Sequence, residues 1–123
     1  MNLLLVMLGG AVGAGARHLV GRLTLALFGP GYPWGTLAVN LIGGLAMGLL
    51  AGILARGSWG EPVRLLLGVG ILGGFTTFSA FSLDVVTMIE RGQATAAIGY
   101  VLVSVIGSVL ALFGGLQIVR ALA

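Results

Sequence analysis

The sequence predicts an all-α integral membrane protein with four transmembrane helices per subunit. Hydrophobic residues make up 59% of the 123-residue chain, and charged residues make up only 7%. Soluble domains carry about 25% charged residues, so this chain has too few charges to cover a soluble surface. The charges also stand between apolar stretches, and a helix needs about 20 apolar residues to cross a bilayer.

The apolar stretches predict the helices in order. The first, at about 2–28, carries Arg17 and Arg22 in its second half, and their long stems can reach the membrane interface. A cleaved signal peptide is the alternative for this stretch, but it lacks a basic region before the apolar run. The connections are too short for a soluble domain, so residues 1–123 form one transmembrane domain. The other predicted helices lie at about 34–55, 62–89 and 93–121.

The composition excludes several classes of function. The chain has no cysteine, which excludes disulfides, thiolate metal sites and cysteine catalysis. One His and three acidic residues supply no credible nucleophile and base, so we expect no enzyme. The pI of 10.7 reflects the scarcity of acids. Since the six arginines form no basic stripe, we expect no binding of nucleic acid.

The arginines are balanced between the two sides of the membrane. Four spans place both termini and the second connection on one side, with three arginines on each side. The Lys/Arg bias of short loops sets orientation, and here there is none. One interpretation is dual insertion with an antiparallel, dual-topology homodimer; the other is a single orientation set by a small bias. The two sets are Arg56, Arg64 and Arg120, and Arg17, Arg22 and Arg91.

Small residues recur at every fourth position along the predicted helices. Such rows let membrane helices approach closely, and 23 of the 123 residues are glycine. Helix packing is therefore the expected role of nearly all of them. The rows are Gly44, Gly48 and Gly52; Gly70 and Gly74; and Gly107, Ala111 and Gly115.

The centre of the third helix, residues 70–82, contains poor helix formers. A Gly pair, two Thr and two Ser fall within ten residues. One interpretation is a helix broken mid-membrane, whose freed carbonyl oxygens can hold a small cation. The alternative is a continuous helix whose hydroxyls bond back to the preceding turn. Composition leaves both open.

Several uncharged side chains are candidates for an anion path. The amide of Asn40 lies inside the second span and can donate to an anion. Phe78 and Phe81 lie three residues apart, and the ring edge carries partial positive charge. Interhelical hydrogen bonds and apolar packing are the plainer interpretations of these residues. A row of hydroxyls also steps by four along the last helix: Tyr100, Ser104 and Ser108.

Three ordered motifs carry a family resemblance. They read Gly9-Gly10-x-x-Gly13-Ala14-x-x-Arg17, Gly35-Thr36-Leu37-x-Val39-Asn40-x-x-Gly43 and Gly73-Gly74-Phe75-Thr76-Thr77-Phe78-Ser79-x-Phe81. Together with the hydroxyl row of the last helix, they resemble the CrcB/Fluc fluoride channels over all four spans. The third motif is the most specific.

The resemblance implies passive export of fluoride across a microbial cell membrane by an antiparallel homodimer with two pores, which lowers fluoride toxicity. It also implies a structural sodium ion at the dimer interface, which is not transported. By motif position, the backbone carbonyls of Gly73 and Thr76 would hold this ion. Arg17, Thr77 and Ser79 are further pathway or vestibule positions. The anion pathway would be formed by Asn40, Phe78, Phe81, Tyr100, Ser104 and Ser108.

Three positions depart from the family pattern. Ala80 stands where Thr is common, His18 stands where Tyr is frequent, and Asp84 stands where Glu is usual. Ala80 removes a hydroxyl from the implied pathway, so the conductance could differ. None of the three replaces an expected sodium ligand, because those ligands are backbone atoms.

Two functions of other classes remain as alternatives. A small dual-topology exporter of cations or drugs needs an intramembrane carboxylate for proton exchange, but acids are absent from residues 3–60 and 62–83. A packing subunit of a larger membrane complex would explain the glycine rows. It would leave Asn40 and the Thr-Thr-Phe-Ser stretch unexplained.

Overall fold

A computed structural model describes residues 2–122, and every regular element in this range is helical. Within this range, four segments are long and apolar enough to cross a membrane, the third being Glu61–Glu90. The predicted all-helical protein with four membrane-spanning segments is confirmed. The helices are α1 (Asn2–Phe28), α2 (Trp34–Ala55), α3 (61–75), α4 (Ser79–Glu90) and α5 (Ala94–Ala121).

Two glycines make the sharp turns that follow α1 and α4. Gly29 has a φ of 76° and Gly92 has a φ of 77°, a left-handed conformation that is strained for residues with a Cβ atom. The amide of Gly92 donates to the carbonyl of Ile89 at 3.0 Å. The short turn then brings α5 back along α4 as an antiparallel hairpin.

Helix α2 packs against α5 along one of the predicted glycine rows. A Cβ atom on Gly48 would overlap the backbone carbonyl oxygen of Leu112, and one on Gly52 would stand 2.9 Å from the Cβ of Val119. At the end of this contact, Nη1 of Arg56 donates to the carbonyl of Val119 at 3.0 Å. The expected packing role of this row is confirmed, because the two backbones meet where side chains are missing.

Helix α1 packs against α3 in the same way. A Cβ atom on Gly13 would overlap the carbonyl oxygen of Ile71, and one on Gly74 would stand 2.7 Å from the carbonyl oxygen of Gly10. This close contact continues to the end of α3. It brings Arg17 of α1 beside the last residues of that helix.

The apolar core is small and lies between α2, α4 and α5, whereas many large apolar side chains are exposed. Leu3 is 71% exposed and Leu19 is 65% exposed. This distribution is the reverse of a soluble protein, as expected where the outer surface faces lipid or another chain. The core cluster consists of Leu37, Phe81, Met88, Ala97 and Tyr100.

Aromatic residues gather at the turn between α1 and α2. The ring centroids of Tyr32 and Trp34 lie 4.7 Å apart, and those of Phe28 and Trp34 lie 5.6 Å apart. Burial raises the pKa of Tyr32, which lies outside the spans, so this phenol stays neutral at physiological pH. Neutral aromatic clusters of this kind are typical of the membrane–water interface.

Candidate functional site

Thr76, Thr77 and Phe78 connect α3 to α4 and belong to neither helix; we call them the 76–78 segment. Thr76 has an extended backbone, with φ of −79° and ψ of 158°. Its amide and its hydroxyl both donate to the carbonyl of Leu72, each at 3.1 Å. The segment therefore starts with a closed last turn of α3, and α4 begins at the residue after it.

Asn40 of α2 binds the backbone of Thr77 through both ends of its amide. Its Nδ2 donates to the carbonyl of Thr77 at 3.0 Å, and its Oδ1 accepts from the amide of Thr77 at 2.9 Å. These two bonds replace helical hydrogen bonds that the backbone loses in the 76–78 segment. An amide nitrogen carries two hydrogens, so one N–H of Asn40 has no protein partner within residues 2–122.

A cavity of about 420 Å³ lies beside Asn40 and the 76–78 segment. No charged side chain is among the described residues that line it. Its remaining lining, from Gly43 and Gly44 to Leu112, is apolar or glycine. Thr76, an expected sodium ligand, and Thr77, a further pathway position, also line this cavity. The structure thus joins five of the six expected anion-path residues in one uncharged cavity: Asn40, Phe78, Phe81, Ser104 and Ser108.

The two phenylalanines of this cavity differ in burial. Phe78 is 76% exposed, whereas Phe81 is 8% exposed. Their ring centroids lie 5.4 Å apart, and Phe81 lies 5.2 Å from the ring of Tyr100. Phe81 is therefore held between two rings, and Phe78 presents a large apolar surface on the outside of the bundle.

Ser104 has a buried hydroxyl with no hydrogen-bond partner among residues 2–122. The residue is 5% exposed and lines the cavity. Burying a hydroxyl without a partner costs about 1–3 kcal/mol. The hydroxyl therefore has unused hydrogen-bonding capacity next to the cavity.

A second cavity, of about 320 Å³, lies next to the first across Thr77, which lines both. Its wall includes Arg17, His18 and Arg22 of α1, and Ala80 of α4. Nε of Arg17 donates to the carbonyl of Gly74 at 3.2 Å. The arginine expected in a vestibule thus lies in a cationic cavity, and it also binds the backbone at the end of α3.

Three of the expected site residues lie outside both cavities. Gly73 and Ser79 are exposed, and the Ser79 hydroxyl lies 3.3 Å from that of Thr77. Tyr100 is fully buried, and its hydroxyl donates to Oδ2 of Asp84 at 3.0 Å. Tyr100 is therefore a neighbour of the cavity through Phe81 rather than part of its wall.

The pairing of Asp84 with Tyr100 was not foreseen from the sequence. The two residues stand eight positions before and after Gly92, the left-handed glycine of the hairpin turn. In an antiparallel hairpin, residues equally distant from the turn lie side by side. This symmetry is a signal that could have revealed the contact.

Residues 4–116 match the sequence model of a family described as "CrcB-like protein, Camphor Resistance (CrcB)". The chain belongs to the CrcB family. The resemblance seen in the three motifs is confirmed. The four membrane-spanning segments make this CrcB protein a multi-pass protein of the cell membrane.

Named relatives of this CrcB chain match it over nearly its whole length. A protein of Sphingopyxis alaskensis named "Fluoride-specific ion channel FluC" is 60% identical over 118 residues, which cover 95% of this chain and 94% of the relative. A protein of Mesorhizobium japonicum with the same name is 57% identical over 121 residues, 98% of each chain. A third, from Caulobacter sp. strain K31, is 56% identical over 121 residues.

Proposed function

We propose that this protein is a fluoride-selective ion channel that exports fluoride passively from the cytoplasm and lowers its toxicity. The observation that carries the proposal is the cavity whose described lining has polar and aromatic groups but no charge. The names of the similar proteins support the same ion. A channel must bind its ion well enough to admit it and loosely enough to release it. Such a protein is a channel and not an enzyme.

Neutral donors along the cavity form the anion pathway in this proposal. Fluoride is small and strongly hydrated, so several donors must replace its water. The N–H of Asn40 without a protein partner and the buried hydroxyl of Ser104 are two of them. Ser108 extends the row along α5, and the ring edges of Phe78 and Phe81 add partial positive charge. Arg17 attracts anions to the neighbouring cationic cavity.

An antiparallel, dual-topology homodimer completes the pathway. The balanced arginines support dual insertion. Phe78 is 76% exposed in one copy, and this exposure supports a second copy of the chain that packs against its ring. In this arrangement the 76–78 segments of the two copies face each other within the membrane, and the third span is broken at mid-depth.

We infer that a structural sodium ion is held between the two copies. Within residues 2–122, the carbonyls of Gly73 and Thr76 receive no hydrogen bond from the backbone or side chains around the 76–78 segment. Freed carbonyl oxygens of interrupted membrane helices are suitable ligands for sodium. Gly73 is exposed, so the same two atoms of a second copy can approach. When bound, sodium supplies a fixed positive charge at the interface and is not transported.

The two alternative functions gain no support from the geometry. An exporter needs a free intramembrane carboxylate, but Asp84 in the third span accepts a hydrogen bond from Tyr100. A packing subunit would not need the row of donors that lines the cavity.

Fluoride efflux from liposomes tests the proposed function. Liposomes that contain the protein are loaded with potassium fluoride, a potassium ionophore starts the efflux, and an electrode records fluoride. Liposomes loaded with chloride, and protein-free liposomes, are the controls. We expect rapid loss of fluoride and none of chloride. No fluoride loss from monodisperse protein, or equal loss of both anions, would contradict the proposal.

Replacing Ser104 by alanine is expected to lower fluoride efflux without lowering the stability of the protein. The substitution removes an unpaired buried hydroxyl, so the free energy of unfolding should stay equal or rise by about 1 kcal/mol. Fluoride efflux should fall about tenfold, because a donor is lost. Thermal unfolding in detergent and the liposome assay measure the two effects. A variant that loses stability together with efflux would show that the hydroxyl has a structural role.

Replacing Phe81 by leucine is expected to lower fluoride efflux about tenfold, because the ring edge is lost while an apolar side chain of similar size still fills the core. The control is Phe113→Leu on α5, where the side chain is 56% exposed and outside both cavities. Efflux from that variant should equal that of the wild type. Wild-type efflux from both variants would show that the ring of Phe81 is not part of the pathway.

A further inference from the structure

Two carbonyls around the 76–78 segment are covered by side chains from other helices. Arg17 of α1 donates to the carbonyl of Gly74 at 3.2 Å. Asn40 of α2 donates to the carbonyl of Thr77 at 3.0 Å. In a continuous α-helix, the backbone amide four residues later would cover each carbonyl. Here side chains have taken over that role.

Two other carbonyls lose their backbone donors to side-chain oxygens. The amide of Thr77, which would cover Gly73 in a continuous helix, donates instead to Oδ1 of Asn40 at 2.9 Å. The amide of Ala80, which would cover Thr76, donates instead to Oγ1 of Thr77 at 3.1 Å. In the second contact a hydroxyl one residue before the N-cap position of α4 accepts from an amide of its first turn.

We propose that the side chains of Arg17, Asn40 and Thr77 are positioning residues for the sodium site, which keep the carbonyls of Gly73 and Thr76 free. They cover two carbonyls, and they withdraw the backbone donors from two others, those of Gly73 and Thr76. This inference rests on the proposed channel with its sodium ion. It gives Asn40 and Arg17 a task beyond contact with the anion, since both act on the backbone that forms the cation site.

The Thr77 hydroxyl offers the sharpest test. Thr77→Val has nearly the same shape but cannot accept from the amide of Ala80, so this amide loses its partner and competes with sodium for the carbonyl of Thr76. Thr77→Ser keeps the hydroxyl acceptor, and serine accepts from amides at helix starts at least as well as threonine. Thermal stability of the detergent-solubilised protein is measured over a series of sodium concentrations, with N-methylglucamine as the replacement cation. Bound sodium raises stability by mass action. The sodium midpoint of each protein is the sodium concentration that gives half of the full rise in unfolding temperature.

We expect the midpoint of Thr77→Val to lie about tenfold above that of the wild type, and that of Thr77→Ser to match it. The control is Thr24→Val, because the hydroxyl of Thr24 donates only to carbonyls of its own helix, Val20 and Gly21. A general loss of helix capping would lower stability at every sodium concentration without moving the midpoint. An unmoved midpoint in Thr77→Val, or an equal shift in Thr77→Ser, would overturn the inference.

Arg17 provides an independent pair of variants. In Arg17→Gln the amide nitrogen lies the same number of bonds from Cα as Nε of arginine, so the donor to Gly74 is kept and the charge is lost. In Arg17→Lys the charge is kept, and a methylene stands at the place of Nε. We expect the sodium midpoint to stay at or below the wild-type value in Arg17→Gln and to rise in Arg17→Lys. The opposite order would overturn the positioning role of Arg17.

Failure of this inference is distinct from failure of the channel itself. A wild-type protein whose stability is the same in sodium and in N-methylglucamine would overturn the sodium site and this inference together. The liposome assay would still decide separately whether the protein conducts fluoride.

Discussion

Replacing Asn40 by leucine is expected to lower fluoride efflux from liposomes by about a hundredfold while the protein still folds. Leucine fills nearly the same space but removes both hydrogen bonds to the backbone of Thr77. It also removes the remaining N–H at the cavity. At about 1 kcal/mol for each of the two bonds and the donor, the free energy lost is about 3 kcal/mol, which corresponds to about a hundredfold in efflux. The expected effect is large because one amide serves the backbone of the 76–78 segment and the anion.

The matched control for Asn40→Leu is Gln117→Leu. Gln117 is also an amide inside a span, but it is exposed on α5 and lines neither cavity. We expect its removal to leave efflux unchanged. Size-exclusion chromatography of each variant shows whether the protein still assembles. Wild-type efflux from well-assembled Asn40→Leu would exclude Asn40 from the pathway and show that its two bonds to Thr77 are not needed for conduction.

Replacing Gly48 by alanine is expected to prevent the packing of α2 on α5. The added Cβ would overlap the carbonyl oxygen of Leu112, and a backbone atom cannot move aside as the end of a side chain can. Overpacking a well-packed core lowers the free energy of unfolding by about 1–3 kcal/mol. For Gly48→Ala we expect a loss at the upper end of this range or above it. The sample should then lose its monodisperse peak in detergent or unfold at a much lower temperature.

The matched control for Gly48→Ala is Gly114→Ala on α5. A Cβ at Gly114 would meet no atom within 4 Å. Because alanine forms helices better than glycine by about 1 kcal/mol, the control should be equally or more stable than the wild type. Equal stability of the two variants would show that the glycine row does not hold the helices together.

The sequence by itself determined the membrane character, the four spans and the family. Lipid cannot form hydrogen bonds with backbone groups or solvate charges. A span must therefore be an apolar helix with few charges, and for this reason the composition and the positions of the charges predict the spans. The row through Gly44, Gly48 and Gly52 predicted a face of close contact, because residues four positions apart lie on one side of a helix and small residues let a second helix approach. The third motif, which ends at Phe81, carried the family resemblance.

The tertiary structure alone decided which groups meet. Asn40 and Thr77 stand 37 positions apart, and Arg17 and Gly74 stand 57 apart. Periodicity within a helix identifies a face but not the partner across from it, so the sequence left open whether Asn40 bonds to another helix or to an anion. The unpaired hydroxyl of Ser104 is likewise a property of its surroundings. Side chains from two other helices cover the carbonyls of Gly74 and Thr77 in the third span, and only the packing of those helices brings them there.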